Sequence, residues 1–468
     1  MTGMTTVNAI GLSGLRTAQA GMTSTANNVA GAAVDGFHRR QIHPLIASPT
    51  SDPLIQGGAV MIDSVVRGYS ALATEQYFAN HSKLLQSSTM SKSSVVVDKM
   101  LVDEAEALTK VLNGFFSAAA DVSADPASVT VRAAFATTSR ETADRIRSLA
   151  EVIQETRNQA HLEMDRVVQE ANEKSEALAR VNMLIQGSSA FGKPTPSADL
   201  LDERDRLASQ LADLVGARAY VSDKGQAVLR FDGLTLVDGV QSFKLKVEKS
   251  EGIPTGVVTL TRSDLGDDTI FGAAKGGGDV LGQFGGLTRY AYGALTWLKK
   301  LDQLAERIVS VTSPPAGQTW TTKPDAQGAT TEVAAMFAIG TNLDGQKALS
   351  LKSLLDGADK VPWADSVSSS TPPHQSMFIA LADQRTPILQ AWASWATDVS
   401  SDMSNWRAEE ASFTAVDMAL NEQLQQVSGV DLDEEATNLL RFQQLYQANS
   451  SVMQAAMKMF DILIGISR

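Results

Sequence analysis

The chain of 468 residues contains no cysteine. Disulfide frameworks, cysteine-ligated zinc or iron–sulfur centres and thiol nucleophiles are therefore excluded. Long hydrophobic runs are missing too: no uninterrupted apolar stretch reaches the roughly 18 residues of a membrane span. The N-terminus lacks a basic segment followed by a continuous apolar one, so no cleavable signal peptide is expected. A soluble protein is expected, one that leaves the cell, if it does, without a cleaved signal. Positive charge is scarce: 40 Lys and Arg face 53 Asp and Glu, for a net charge of −13 and a pI near 5.0. Such a surface repels polyanions, which argues against nucleic acid or an anionic membrane as the main partner. The densest basic spot is His38, Arg39 and Arg40. One core usually stops growing at roughly 250 residues, so several domains are expected.

Motifs for catalysis or ligand binding are also lacking. The five histidines form no recognisable metal or Ser-His-Asp pattern. His161 and Asp165 lie one helical turn apart, with Glu163 between them, but two candidate ligands without a third make a weak metal site. A solvated charged face is the expectation there. "GAAKGGGD" lacks the Gly-Lys-Ser/Thr ending of a phosphate-binding loop and is expected to be a hinge. Asp202, Glu203 and Asp205 beside Arg204 and Arg206 are expected to form a surface ion-pair lattice on a helix. Neither a catalytic centre nor a cofactor or metal is expected.

What is present is helical periodicity, concentrated at both ends. Met4 to Val29 reads as a helix with Leu15, Ala18, Met22, Thr25 and Val29 in 3-4 spacing, and Val7, Ile10, Gly14 and Ala18 on a second stripe. The stretch "TANNVAGAAVDGFHRR" then breaks it. Asn27, Asn28 and Gly31 tolerate the left-handed backbone that ends helices, and Asp35-Gly36 is a turn signal. An extended connector with one or two strands is predicted from His43 to about Asn80, and helix from there to about Phe116. Asp125-Pro126 resembles an N-cap with proline at the first helical position. The helix behind it runs about sixty residues to near Gly187, roughly 90 Å at 1.5 Å per residue.

"SADLLDERDRLASQLADLVG" is an amphipathic helix with Leu200, Leu207, Leu211 and Leu214 inward. After Gly216, short alternating strands separated by turns predict a small antiparallel β module. Helix returns from Leu287 to about Val311. Residues 313–376 are rich in Pro, Thr, Gly and Ser, consistent with a small subdomain or ordered loops. Beyond Pro387 a long helix carries Trp392, Trp395, Val399, Trp406, Phe413, Val416, Leu420 and Val427 on a heptad seam, the tryptophans as core anchors.

Ser428-Gly429 ends that helix, and Asp431 with Glu434 forms an aspartate version of the capping box. The final seam is the cleanest: Leu439, Phe442, Tyr446, Asn449, Met453, Ala456, Phe460 and Leu463 keep the 3-4 rhythm. Leu445, Val452, Met459 and Ile466 recur every seven residues beside it. A two-stranded coil does not need this extra column. Pairing the two terminal helices leaves apolar columns over, which either pack inside one monomeric bundle or are covered by other copies.

The two ends carry a family resemblance. "IGLSGLRTAQAGMTSTANNVAGAAVDGFHRRQI" resembles the N-terminal signature of bacterial flagellar axial proteins: a small-residue helix, an Asn-Asn pair, then Gly-aromatic and a basic residue. "SGVDLDEEATNLLRFQQLYQANSSVMQAAMKMFDILIGI" resembles the matching C-terminal signature. "DLLDERDRLASQLADLVGARAYV", with "GQFGGLTRYAYGALTWLKKLDQLAERI", is similar to the hook-associated branch of that family. Gly31 and Val34 replace the usual Asn and Thr, and Phe37 the usual tyrosine.

The resemblance implies a structural protein of the flagellum, not an enzyme, exported unfolded by the type III apparatus and assembled between hook and filament. Implied partners are further copies of itself, hook protein, a second hook-associated protein, and an export chaperone on Leu439–Ile466. The alternatives are another axial protein, hook or distal rod, or a soluble enzyme with helical flanks. The implied fold is mainly α and elongated, with an inserted antiparallel β module. Residues 1–36 and 428–468 would form the coiled-coil end domain or inner tube. Residues 37–200 and 286–427 would form the long-helix domain and 201–285 the β-rich outer module. The assembly interface would comprise Leu15, Ala18, Met22, Val29, Leu439, Phe442, Leu445, Tyr446, Asn449, Val452, Met453, Ala456, Met459, Phe460, Leu463 and Ile466. Asn27, Asn28, Gly36, Phe37 and Arg39 would form the corner from inner helix to outer domains.

Overall fold

The computed structural model describes residues 2–46, 59–190, 196–231, 234–250, 253–261, 268–271, 280–324, 327, 329–340, 345–365 and 373–466. The predicted hinge at 272–279 lies outside them.

Helix dominates. The N-terminal helix α1 (Thr2–Gly31) leads into an antiparallel hairpin, β1 (Arg40–Ile46) with β2 (Val60–Arg67). Helix α2 (Ala71–Ala124) then starts nine residues earlier than the sequence pattern placed it, because Ser70 caps it: its hydroxyl accepts from the Ala73 amide. The cap expected at Asp125 is also displaced. Asp125 closes α2, and Ser128, accepting from the Val131 amide, opens α3 (Val129–Ala190). At 62 residues, α3 spans about 90 Å.

Helix α4 (Ala198–Val215) is bounded by Ser197, whose side chain accepts from the Leu200 amide, and by Gly216 in the left-handed conformation. The β module follows as two sheets. One is β3 (Arg218–Val221), β4 (Ala227–Phe231), β5 (Leu234–Asp238) and β6 (Gln241–Ser242) in sequential order; the other is β7 (Lys244–Ser250), β8 (Ile253–Thr261) and β9 (Asp268–Phe271). Every neighbouring pair is antiparallel. Asn182 of α3 fixes the first sheet, donating to the Ala227 and Gly239 carbonyls and accepting from the Ala227 amide.

Helix α5 (Gly282–Val311) begins five residues before the predicted Leu287. Near its start, Gly285 and Gly286 press against the Val280 and Gln86 carbonyls. The Pro- and Gly-rich region that follows contains β10 (Trp320–Thr321), β11 (Glu332–Val333), β12 (Phe337–Ala338), β13 (Lys352–Ser353) and β14 (Ala364–Asp365), with two short 3-10 turns. Strands β11-β10-β14 and β12-β13 form two small sheets. Helices α6 (Pro373–Asp383), α7 (Arg385–Ser428) and α8 (Leu432–Ile466) complete the chain.

The core is a bundle of long helices. Helix α7 runs antiparallel to α2, with Arg385 on Asn113, Trp392 on Thr109 and Asp417 on His81. Phe115, Phe135, Phe337 and Phe378 stack into one aromatic cluster that joins α2, α3, β12 and α6. The expected tryptophan anchors are buried: Trp392 and Trp395 stack at 4.9 Å, and Trp406 lies 5.6 Å from Trp297. Farther along α7, Val416 and Val427 are exposed, so the predicted seam is buried only in its first half.

Candidate functional site: a terminal helix pair and its ionic corner

Helices α1 and α8 pair antiparallel through a seam of small against large residues. A Cβ placed on Gly21 would lie 2.5 Å from the Phe442 ring, and one on Gly11 would lie 2.9 Å from Met453 Cγ. Gly14 faces the Asn449 amide in the same way. Three glycines, with fully buried Ala18 between them, let the α1 backbone approach the large side chains of α8.

The proposed interface residues divide into two sets. Ala18 and Ala456 are buried in the seam, and Leu15, Met22, Leu439, Phe442, Asn449 and Met453 are half-buried. Val29, Leu445, Tyr446, Val452 and Met459 are exposed, at 42–50% of their full surface. Leu445, Val452 and Met459 are the heptad column that the seam leaves over. The side chains of Phe460, Leu463 and Ile466 lie outside the described residues.

The corner is more elaborate than a helix stop. Asn28 does not end α1 in a left-handed conformation; the helix continues to Gly31, and Gly36 is the residue with positive φ, +75°. Asn28 is a buried clamp. Its amide nitrogen donates to the Arg40 carbonyl and its oxygen accepts from the Arg40 N–H, both at 2.9 Å, so the side chain imitates a β-ladder partner. Asn27 is exposed. Gly31 accommodates the Phe37 ring at a distance no Cβ would permit, and the Arg40 guanidinium covers that ring at 4.8 Å. Ser24 and Ser13 continue the contact along the hairpin, bonding the Arg40 carbonyl and the Val60 amide.

Around this clamp sits a buried ion network built on α4. Asp202 faces three basic side chains at 2.7–3.0 Å: His38 through Nδ1, Arg40 and Arg67. His38 Nδ1 also faces the Gly36 carbonyl at 3.1 Å, so with two acceptors before it this nitrogen carries the hydrogen. Arg40 reaches on to Asp199 at 2.5 Å, and Arg67 to Asp205 at 2.9 Å. Arg204 completes the chain, paired with Asp205 and donating to the Gly225 carbonyl of the β3–β4 turn. The expected surface lattice is thus corrected: Asp202, Arg204 and Asp205 are buried, and only Glu203 with Arg206 pairs toward solvent. Their burial is tolerated because each charge has a hydrogen-bonded opposite. Burial opposes ionisation of Asp202, but the hydrogen bonds from His38, Arg67 and Arg40 outweigh it and hold its pKa below the ordinary 3.8.

Arg39 points the other way. It pairs with Glu434 and Glu435 in the first turn of α8, and the Glu434 bond is the largest influence raising its pKa. Its N–H donates to the Ser428 carbonyl at the end of α7, and its carbonyl accepts from Gly68. The predicted capping box is consequently half formed: Asp431 accepts from the Asp433 and Glu434 amides, while the Glu434 side chain is turned to Arg39. Three successive residues, His38, Arg39 and Arg40, therefore tie α1, the hairpin, α4 and α8 at one point. Their clustering in an acidic chain was one signal of this site, beside the corner residues that the family resemblance implied.

The charged, solvated face expected around His161 is corrected as well. His161 is buried rather than solvated, and burial, with Arg157 adding to it, lowers its pKa to about 4. Among the described residues no group of three or more His, Asp or Glu is placed to hold a metal, and no helix is long and apolar enough to cross a membrane.

Comparison with known proteins agrees with this geometry. Residues 95–313 match the family model of the flagellar hook-associated protein FlgK helical domain, and 423–466 match that of the flagellar basal body rod FlgEFG protein C-terminal region. In both segments the chain is similar to the flagellar axial proteins, the structural class that includes rod and hook-associated members. Within that class the particular protein it resembles is flagellar hook-associated protein 1. It is 23% identical to that protein of Escherichia coli K12 over 97% of this chain and 98% of the relative. Identity is 24% to that of Salmonella typhimurium, over 97% and 98%, and 22% to that of Bacillus subtilis 168, over 96% and 95%. A solved structure of the flagellar hook junction protein FlgK from Burkholderia pseudomallei aligns with a TM-score of 0.48 at 17% identity, covering 64% of this chain and 58% of that one.

Proposed function

We propose that this chain forms the junction between hook and filament of a bacterial flagellum, assembling with copies of itself through α1 and α8. On this reading it is a structural protein without enzymatic activity, located outside the cell after unfolded export through the flagellar type III apparatus. The observation that carries the proposal is the leftover column on α8. Leu445, Val452 and Met459 stay exposed after α1 has covered the adjacent seam. Residues 442–457 carry no charge, and α1 carries only Arg16. An uncharged apolar strip beside a completed seam marks an association surface, and in a chain of net charge −13 it is a place where two copies meet without like-charge repulsion.

Residues 1–36 and 428–468 are then the inner coiled-coil tube, 37–200 and 286–427 the surrounding helical domain, and 201–285 the outer module. The partners are hook protein on one side and a second hook-associated protein on the other, with an export chaperone shielding Leu439–Ile466 before assembly. The test is a triple variant, Leu445→Glu, Val452→Glu and Met459→Glu, in a motile strain lacking the wild-type copy. Its helix pair should survive while filaments fail to form on hooks; normal filaments would refute the proposal. The protein should also occur in sheared, purified flagella. Because the C-terminal match is shared with rod proteins, labelling at the hook–filament joint separates this role from a rod or hook role.

A further inference from the structure

The face of α1 turned away from α8 forms one wall of a groove. Gly11, Gly14, Ala18 and Gly21 are turned to α8, whereas Arg16, Ala20 and Thr23 stand about half a turn round the helix from them. Ile42 and Val65 of the β1–β2 hairpin supply the other wall and Ala198, at the start of α4, borders it, around a volume of about 570 Å³. Val65 is 51% exposed, so this wall is free surface. Arg40 and Asp199 also line the groove but are paired with each other. That leaves Arg16 as its one charge without an ion-pair partner among the described residues.

Helix α8 carries a shape that complements the groove. Leu445, Val452 and Met459 stand one heptad apart as an exposed ridge on its flank. Residues 442–457 have no charge that entry between apolar walls would strand. At 1.5 Å per residue the ridge from Leu445 to Met459 is about 21 Å long, and the groove wall from Arg16 to Asn27 about 17 Å. Ridge and groove lie on different helices and point in different directions, so a molecule cannot fill its own groove.

We propose that the groove behind α1 receives the α8 column of a second copy, so that each copy gives its column to one neighbour and takes a column from another. This rests on the reading of α1 and α8 as assembly surfaces, to which it adds which surface meets which. The contact is head-to-tail and repeats, closing into a ring or continuing as a helix, whereas column against column would stop at a dimer and leave the groove open. One contact alone is weak, because three partly exposed side chains fall short of the about 1,000 Å² that a stable interface buries. Contacts on both sides hold each copy. Within the pair Gly21 faces Phe442 and Gly11 faces Met453, so Leu445 is level with the groove. A neighbour displaced by one heptad, about 10 Å, brings Val452 there instead.

The chain has no cysteine, so introduced thiols are its only ones. The test combines Thr23→Cys with Leu445→Cys, Val452→Cys or Met459→Cys in a strain lacking the wild-type copy; sheared flagella are oxidised and resolved on a non-reducing gel. Within one chain Thr23 lies on the far side of α1 from α8, beyond the roughly 7 Å between Cα atoms that a disulfide spans. A ladder of dimers, trimers and larger species is expected from at least one double variant, and monomers from every single variant. No ladder from any double variant, in flagella that contain the protein, would overturn the groove contact. So would dimers from a single column variant, which would mean that columns meet each other. Ala20→Glu, added to the ladder-forming variant, should abolish the ladder and Ala20→Ser should keep it; a ladder that survives Ala20→Glu would also overturn the proposal. Absence of the wild-type protein from flagella would instead sink the assembly role, and the groove contact with it.

Discussion

Glu435, in the first turn of α8, is the partner of Arg39 in the corner loop: Arg39 Nε donates to its carboxylate across 2.8 Å, and the glutamate is 2% exposed. The two residues stand 396 positions apart in sequence. Replacing Arg39 with Ala strands a buried carboxylate, for a loss on the order of 3 kcal/mol in denaturant unfolding. Glu435→Gln should cost less, because Arg39 retains Glu434.

The Asn28 clamp predicts a local defect. Asn28→Ala removes both hydrogen bonds to the Arg40 backbone and should cost about 1–3 kcal/mol. The specific sign is faster exchange of the Arg40 amide, which otherwise donates to Asn28 Oδ1.

The glycine seam predicts a compensating pair. Gly21→Ala drives a methyl into the Phe442 ring and should destabilise α1 on α8 by about 1–3 kcal/mol. Adding Phe442→Ala should recover part of the loss. Limited proteolysis of α1 reads the outcome, and additive damage in the double variant would contradict the seam.

Trp297 tests the helical core. It is buried, with its indole N–H donating to Asp402 at 2.8 Å and its backbone carbonyl accepting from Trp395. Trp297→Ala should cost about 3–5 kcal/mol. Trp297→Phe keeps most of the packing and loses the Asp402 bond, so its cost in thermal unfolding should be much smaller.

Acid should weaken the ionic corner. The Asp202 pKa is depressed in the folded chain, so its contribution is present above the ordinary 3.8 and is lost as pH falls through the lower folded value. Asp202→Asn should therefore flatten the acid limb of the stability profile.

The long helices were legible because their apolar residues repeat with helical spacing, and the tryptophan seam of α7 and the β module followed from the same kind of pattern. The family resemblance pointed to the corner through Asn28, Gly36, Phe37 and Arg39 but not to its wiring, for two physical reasons. Asn28 and Gly31 both tolerate left-handed backbone and so suggest local terminators, whereas tertiary use decides: one is a clamp and the other makes room for Phe37. The acids and arginines of α4 read as a solvated lattice because their spacing suits one. Their partners His38 and Arg67 lie 164 and 135 residues away, and no local pattern reveals that. In the glycine seam of α1, Gly14 fell on a predicted stripe, but Gly11 and Gly21 escaped because a count of apolar side chains gives no weight to a residue whose contribution is having none.

The anchoring described at Arg39, Arg40 and Arg67 is concentrated at one end of the α1–α8 pair. With 30 residues, α1 extends about 45 Å from that fulcrum. The pair is therefore a lever: a tilt of about 5° at the ionic corner sweeps its far tip through about 4 Å over that helix length. Any such tilt is multiplied along the arm, so the precision of the buried charges sets the precision of its tip.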